Sequence, residues 1–197
     1  MNNKSICVVG AGYWGKNHIR VLNELRCLGG IVDSNQDVLN RFANQYPDVK
    51  GYLSISQALK EKTIQGFTVA TPAETHYALG RQIIKSGKHL LVEKPLTLTK
   101  KHAEDLVRLS EDNNVNLMVG HLLLFHPAIR KIKTLIRENK IGKLQYLYSN
   151  RLNLGQVRSE ENVFWSLAPH DISVFQYLTD SYPLKISATG SIFLQDG

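Results

Sequence analysis

The sequence predicts an α/β protein. A Rossmann-type, doubly wound parallel sheet spans residues 1–121, and an incomplete α+β domain with a mainly antiparallel sheet spans 122–197. Three observations carry that prediction. The apolar run Ile6–Val9 leads straight into Gly10-Ala-Gly12-Tyr-Trp-Gly15 and then into a helical stretch, residues 13–26. Apolar runs of strand length then alternate with helix-length runs as far as residue 120. Beyond that point the rhythm changes.

The first strand is short and wholly apolar, as a strand buried on both faces must be. Each glycine after it meets a steric demand. Gly10 permits the tight turn off the strand, Gly12 lets the backbone approach a pyrophosphate, and Gly15 lets the helix pack close to the strand. The helix N-terminus then offers unbonded N–H groups and the positive end of its dipole to an anion. Tyr13 and Trp14 lie on the same loop, within reach of the pyrophosphate or a substrate. The second strand, residues 30–32, ends in Asp33, eighteen residues after Gly15. A carboxylate there holds the adenosine ribose diol and repels a 2′-phosphate, so the expected cofactor is NAD rather than NADP.

The remaining elements follow in order. A helix over residues 36–46 ends at Pro47, and a short strand at 51–53 and a helix at 56–62 come next. The run 67–70 stops at Thr71-Pro72, because proline cannot continue a ladder. A helix over 74–86 ends at Gly87, a strand spans 89–92, a helix 98–113 and a strand 116–120. His76 either begins its helix or lines the cofactor. Ligands of such sheets gather at the carboxyl ends of the strands. Gly10–Gly15, Asp33, Thr71-Pro72 and Glu93-Lys94-Pro95 all fall there, and a cis peptide at Pro95 is one way to aim Lys94.

Past 120, residues 122–125 form an apolar link. A helix over 127–139 carries Ile129, Ile132 and Ile136 on one face, and Gly142 breaks that helix. A long strand is expected over 144–154, with Leu144, Tyr146 and Tyr148 on one side. A polar loop (155–162), a helix (169–178) and a strand or strand pair (184–194) complete the segment.

Composition narrows the function. The chain is 43% hydrophobic and 21% charged, ordinary for a globular protein. Its formal net charge of +7 is spread along the chain with no basic block. Nucleic acid is therefore not an expected partner, whereas a mild positive field suits an anionic small substrate. Cys7 and Cys27 form no disulfide or metal pattern, which points to a reducing compartment and to no bound metal. No leader is expected ahead of the opening strand, and no apolar run reaches membrane-spanning length, so a cytoplasmic protein is expected.

Three stretches together resemble the Gfo/Idh/MocA family of sugar oxidoreductases. They are Gly10-Ala-Gly12-Tyr-Trp-Gly15, Ala70-Thr-Pro-Ala-Glu-Thr-His76 and Gly87-Lys-His-Leu-Leu-Val-Glu93-Lys94-Pro95. The segments 150–155 and 165–171 look most like bacterial members acting on nucleotide sugars for surface polysaccharides. The resemblance implies hydride transfer between a sugar ring carbon and nicotinamide. Lys94 would bind the reacting hydroxyl and relay its proton, and His170 would be the general base. Tyr13, Trp14, Thr71, Pro72, His76, Glu93 and Lys94 join the glycines and Asp33 around the cofactor. Ser166 stands where the family has an aspartate, so a hydroxyl replaces a charge near Lys94. Arg151 and Arg158 either bind a phosphate or carboxylate of the sugar or remain solvated. Family members have a longer C-terminal domain, so the resemblance implies an unfinished sheet edge, and with it a homo-oligomer formed through that edge, a partner chain or a truncated gene product. A member that holds NAD without a complete catalytic set, serving as a binding or partner subunit, is the alternative.

Overall fold

The computed structural model describes residues 4–152 and 162–191. The chain divides into two compact units, Met1–Gly120 and His121–Gly197.

The first unit is a six-stranded, all-parallel sheet: β1 (Ile6–Val9), β2 (Leu28–Val32), β3 (Lys50–Tyr52), β4 (Gly66–Val69), β5 (His89–Val92) and β6 (Leu117–Val119). Its spatial order is β3-β2-β1-β4-β5-β6, which reverses direction between β1 and β4. That is the doubly wound dinucleotide-binding order, with its crevice at the reversal. Alternation along the strands divides the core. Cys7 and Val9 join Phe67, Val69, Ile83, Leu90, Val92 and Leu106 on one side. Val8 faces the other side with Ile19, Leu28, Ile31 and Leu39.

The crossovers are α1 (Gly15–Glu24), α2 (Gln36–Gln45), α3 (Ile55–Ala58), α4 (Ala73–Lys85) and α5 (Lys100–Asp112). Local chemistry sets their ends. The Asn35 side chain accepts from the N–H groups of Asp37 and Val38 to start α2, and Thr99 accepts from His102 to start α5. In α4, Glu74 lies in the first turn and Lys85 in the last, each at the end of the dipole that favours its charge. Gly87 follows with φ +69°, where a side chain would be strained.

The second unit contains a 3₁₀ turn (Leu122–Phe125), α6 (Pro127–Arg137) and α7 (Val163–Thr179). Pro127 occupies the first position of α6, and His126 Nδ1 accepts from the Ala128 N–H. The buried Lys133 of α6 donates to the Asp180 carboxylate and to the Leu178 carbonyl, which ties α6 to the end of α7.

Two expectations for this unit are corrected. The helix expected at 169–178 begins six residues earlier, at Val163, because Asn162 Oδ1 caps it by accepting from Trp165 N–H at 3.1 Å. Pro169 sits inside that helix and costs the Trp165 carbonyl its helical partner, without ending the helix. The mainly antiparallel sheet is the second correction. Residues 145–152 and 185–191 carry no strand, and every described strand is parallel and lies in the first unit. A strand requires a ladder partner for its backbone groups, and none is supplied among the described residues. Arg158 and the rest of residues 153–161 and 192–197 lie outside the described residues.

Candidate functional site

The candidate site begins with the ladder itself. Beyond the strands proper, Asp33 N–H donates to the Tyr52 carbonyl, Gly10 to Val32, Ala70 to Val9, Glu93 to Val69 and Gly120 to Val92. These bonds set Asp33, Gly10, Ala70 and Glu93 side by side along the carboxyl edge of the sheet.

Gly10 has φ +87°, and a Cβ there would meet Thr71 Cγ2 at 2.7 Å. A Cβ on Gly15 would lie 1.8 Å from the Gly10 carbonyl oxygen, so helix and turn touch through bare backbone. A Cβ on Gly12 would meet nothing within 4 Å. The loop is thus closed on its protein side and open on the outer side, which fits a pyrophosphate approaching the backbone at Gly12. Asp33 braces this loop: Oδ2 accepts from Ala11 N–H and Oδ1 from Asn35 N–H, both at 2.9 Å.

The end of β5 is tied to the start of α1 by one buried carboxylate. Glu93 Oε1 accepts from Trp14 Nε1 at 2.6 Å and lies 2.7 Å from His18 Nε2. Its Oε2 accepts from Lys94 N–H at 3.3 Å. Burial pushes the Glu93 carboxyl up, but the bonds from His18, Trp14 and Lys94 outweigh it and hold the group below its ordinary value. Sequence reading missed His18. The available signal was its place one turn after Trp14, on the same face of α1.

Other expected residues are placed as follows. Tyr13 is exposed, with Lys16 Nζ 4.8 Å from its ring centre. Thr71 Oγ1 is 2.6 Å from Thr75 Oγ1, and Pro72 stands at the N-cap position of α4 without a side-chain bond. Lys94 is half-buried, and the Lys94–Pro95 peptide is cis. His76 departs from expectation. It is 1% exposed, with Nδ1 2.8 Å from the Pro95 carbonyl and Nε2 2.8 Å from the Thr71 carbonyl. With both ring nitrogens engaged inside the protein, it lines no surface open to a cofactor.

In the second unit, α7 carries Ser166 and His170 one turn apart on a single face. Arg151, considered for binding a sugar's anionic group, is instead paired with Asp171, which also accepts from Ser149 Oγ at 2.8 Å. Burial raises the Asp171 carboxyl, and these two partners more than reverse that. Among the described residues no group of three His, Cys, Asp or Glu side chains could hold a metal, and no helix is long and apolar enough to cross a membrane.

Comparison with known proteins decides the family. The model of the Gfo/Idh/MocA oxidoreductases, with an NAD-binding Rossmann fold, matches residues 4–121. The chain belongs to that family. This Gfo/Idh/MocA chain is 28% identical over 190 residues to the UDP-N-acetylglucosamine 3-dehydrogenase of Acidithiobacillus ferrooxidans, a match covering 96% of the chain and 58% of that enzyme. It is 21% identical over 194 residues to the inositol 2-dehydrogenase of Rhizobium meliloti, covering 95% of the chain and 58% of the relative. A crystal form of the Acidithiobacillus enzyme superposes with a TM-score of 0.86 at 27% identity, over 97% of this chain and 59% of that one. GenD2 from gentamicin A biosynthesis, solved with NAD, shares the fold at a TM-score of 0.77 and 24% identity, over 88% of this chain and 53% of that one. The chain spans less than two thirds of each of these relatives.

Proposed function

We propose that the chain carries the cofactor and catalytic residues of an NAD-dependent dehydrogenase acting on a sugar, with a nucleotide sugar as the favoured substrate. The observation that carries this reading is the row at the carboxyl edge. It brings the open face of Gly12, the Asp33 carboxylate and the Glu93-Lys94-Pro95 turn to one rim. The likeness to the UDP-N-acetylglucosamine 3-dehydrogenase supports the substrate class.

In this reading the glycine loop, with Tyr13 and Trp14, holds the pyrophosphate through backbone N–H groups, and Asp33 accepts from the ribose hydroxyls. Thr71 and Pro72 border the nicotinamide side. NAD, when bound, supplies the hydride acceptor. Lys94 binds the hydroxyl of the sugar carbon undergoing oxidation, and His170 takes that hydroxyl's proton. Ser166, one turn before His170, provides a hydrogen-bonding group but no charge. Glu93 holds the loop that bears Lys94 against α1. A cytoplasmic setting fits the free thiols of Cys7 and Cys27.

The test is titration with NADH and NADPH, followed by a screen of nucleotide sugars for reduction of NAD, starting with UDP-N-acetylglucosamine. Tight NADH binding, much weaker NADPH binding and turnover of one sugar are expected. NADH binding with no turnover across the screen would replace this reading with a cofactor-holding subunit. Binding of neither dinucleotide would overturn both.

A further inference from the structure

Two loops that the proposed function assigns to different tasks are joined by a side chain with no assigned role. Thr71 lies two residues past β4 beside Gly10, on the cofactor side, and Pro95 follows Lys94 in the turn after β5. The His76 ring lies between them, 2.8 Å from each backbone carbonyl. It belongs to the second turn of α4, whose packing against the core through Gly80, Ile83 and Ile84 gives the ring a rigid base. At 1% exposure the ring lies out of reach of solvent. Both partners are acceptors and a neutral ring carries one N–H, so the ring donates to one of the two carbonyls and packs against the other; only the imidazolium donates to both.

We infer that His76 is a positioning residue for Lys94. Through α4 it fixes the Thr71 turn and the Lys94–Pro95 turn relative to one another, so that the lysine is presented at a set distance from the cofactor loop. This inference rests on the proposed role of Lys94. Its logic is that a group one loop away controls where the ammonium sits, and displacements near 1 Å matter at such sites. Glu93 is already committed to Trp14, His18 and the Lys94 N–H, which leaves His76 to hold the far side of the turn. Leu at position 76 removes the ring's hydrogen bonding to these carbonyls while filling the space. Gln retains an amide N–H that reaches one carbonyl.

The experiment reads Lys94 directly. Trace labelling with acetic anhydride, followed by peptide mass spectrometry, gives the rate at Lys94 relative to the exposed Lys101 in wild type, His76→Leu and His76→Gln. NADH affinity and thermal midpoint are measured alongside. The Lys94 rate is expected to change about fivefold in His76→Leu and by an intermediate factor in His76→Gln, with Lys101 unchanged. NADH affinity is expected to stay within about threefold, since no cofactor contact is removed. Where a nucleotide sugar is turned over, kcat falls about tenfold in His76→Leu with KM nearly constant, and His76→Gln restores part of the loss. A Lys94 rate equal to wild type in a folded variant overturns the inference, as does a parallel rise at Lys94 and Lys101. If His76→Leu does not fold, His76→Gln decides by the same criteria. Failure of the dehydrogenase reading looks different: wild type then lacks NADH binding or turnover, while the response of Lys94 to His76 is unaffected.

Discussion

The two units respond differently to the same kind of sequence. In the first, every apolar run finds a neighbour in the sheet and its ends are fixed by named hydrogen bonds. Asp33, Gly10, Ala70 and Glu93 are ordered by ladder bonds that outlast the strands themselves. In the second, runs with equally strong strand character lie without a ladder among the described residues. Tyr146 and Tyr148 are each 76% exposed and Leu184 is 100% exposed. Periodicity predicts which face of a segment is apolar; only a partner makes that segment a strand. A chemical site needs the first condition, because it requires backbone held to fractions of an ångström.

The sharpest test of that contrast removes function without touching the fold. Lys94→Ala is expected to lower kcat about a thousandfold on whichever nucleotide sugar is turned over, because it removes the group that holds the reacting hydroxyl for proton transfer. NADH affinity, read by fluorescence, stays within about threefold because the glycine loop is intact. Equal losses in binding and turnover would make Lys94 a cofactor ligand instead.

The glycines separate fold from binding within one loop. Gly15→Ala drives a methyl into the Gly10 carbonyl, at 1.8 Å by the backbone geometry. It should destabilise the first unit by about 3 kcal/mol in urea unfolding. Gly12→Ala adds a methyl to open space. Its stability should change by less than about 0.5 kcal/mol, while NADH affinity falls about tenfold. A reversal of the two effects would break the reading of the loop as closed inside and open outside.

Glu93 shows the same economy in electrostatics. Its folded carboxyl titrates below its ordinary value, so its contribution to stability is complete above that ordinary value. The contribution is lost as pH falls through the lower folded value. Glu93→Gln is expected to cost about 1.5 kcal/mol at pH 7 and to flatten the acid limb of the stability curve below pH 5. Unfolding midpoints from pH 3 to 7 check both signs.

Much of the first unit was legible because its signals are local. β1 and β5 fall on the expected residues, since a parallel strand buried on both faces is written as an uninterrupted apolar run. The glycine loop, Asp33 and the Glu93-Lys94-Pro95 turn were legible as strand-end residues, and the ladder places them at one edge. The partners of Glu93 were not legible, because Trp14 and His18 meet it across 79 and 75 residues of chain and no periodicity encodes that encounter. The fate of His76 was hidden for the same reason: the carbonyls that engage it belong to two loops that only the fold brings together. In the second unit, Pro169 misled. Proline reads as a helix start, yet the Asn162 cap lies seven residues upstream.

The smallest expected effects sharpen the contrast from the side of the second unit. Lys133 is buried and donates to Asp180 and Leu178, while its ammonium lies 5.4 Å from the Tyr177 ring centre. Lys133→Met keeps the aliphatic stem and loses those bonds, so a cost of about 1 kcal/mol is expected in thermal unfolding. Tyr146 offers the opposite case. Its ring stacks only loosely on Tyr148, at 6.4 Å between centres, and both rings face solvent. Tyr146→Ser should therefore change stability by less than about 0.5 kcal/mol, as surface substitutions do. An aromatic side chain packed across a sheet would cost more, about 1 kcal/mol for its cross-strand pair before any burial is counted. A loss of that size would mean that the run beginning at Leu144 forms a paired strand in solution, and the difference between the two units would then be one of partners rather than of sequence.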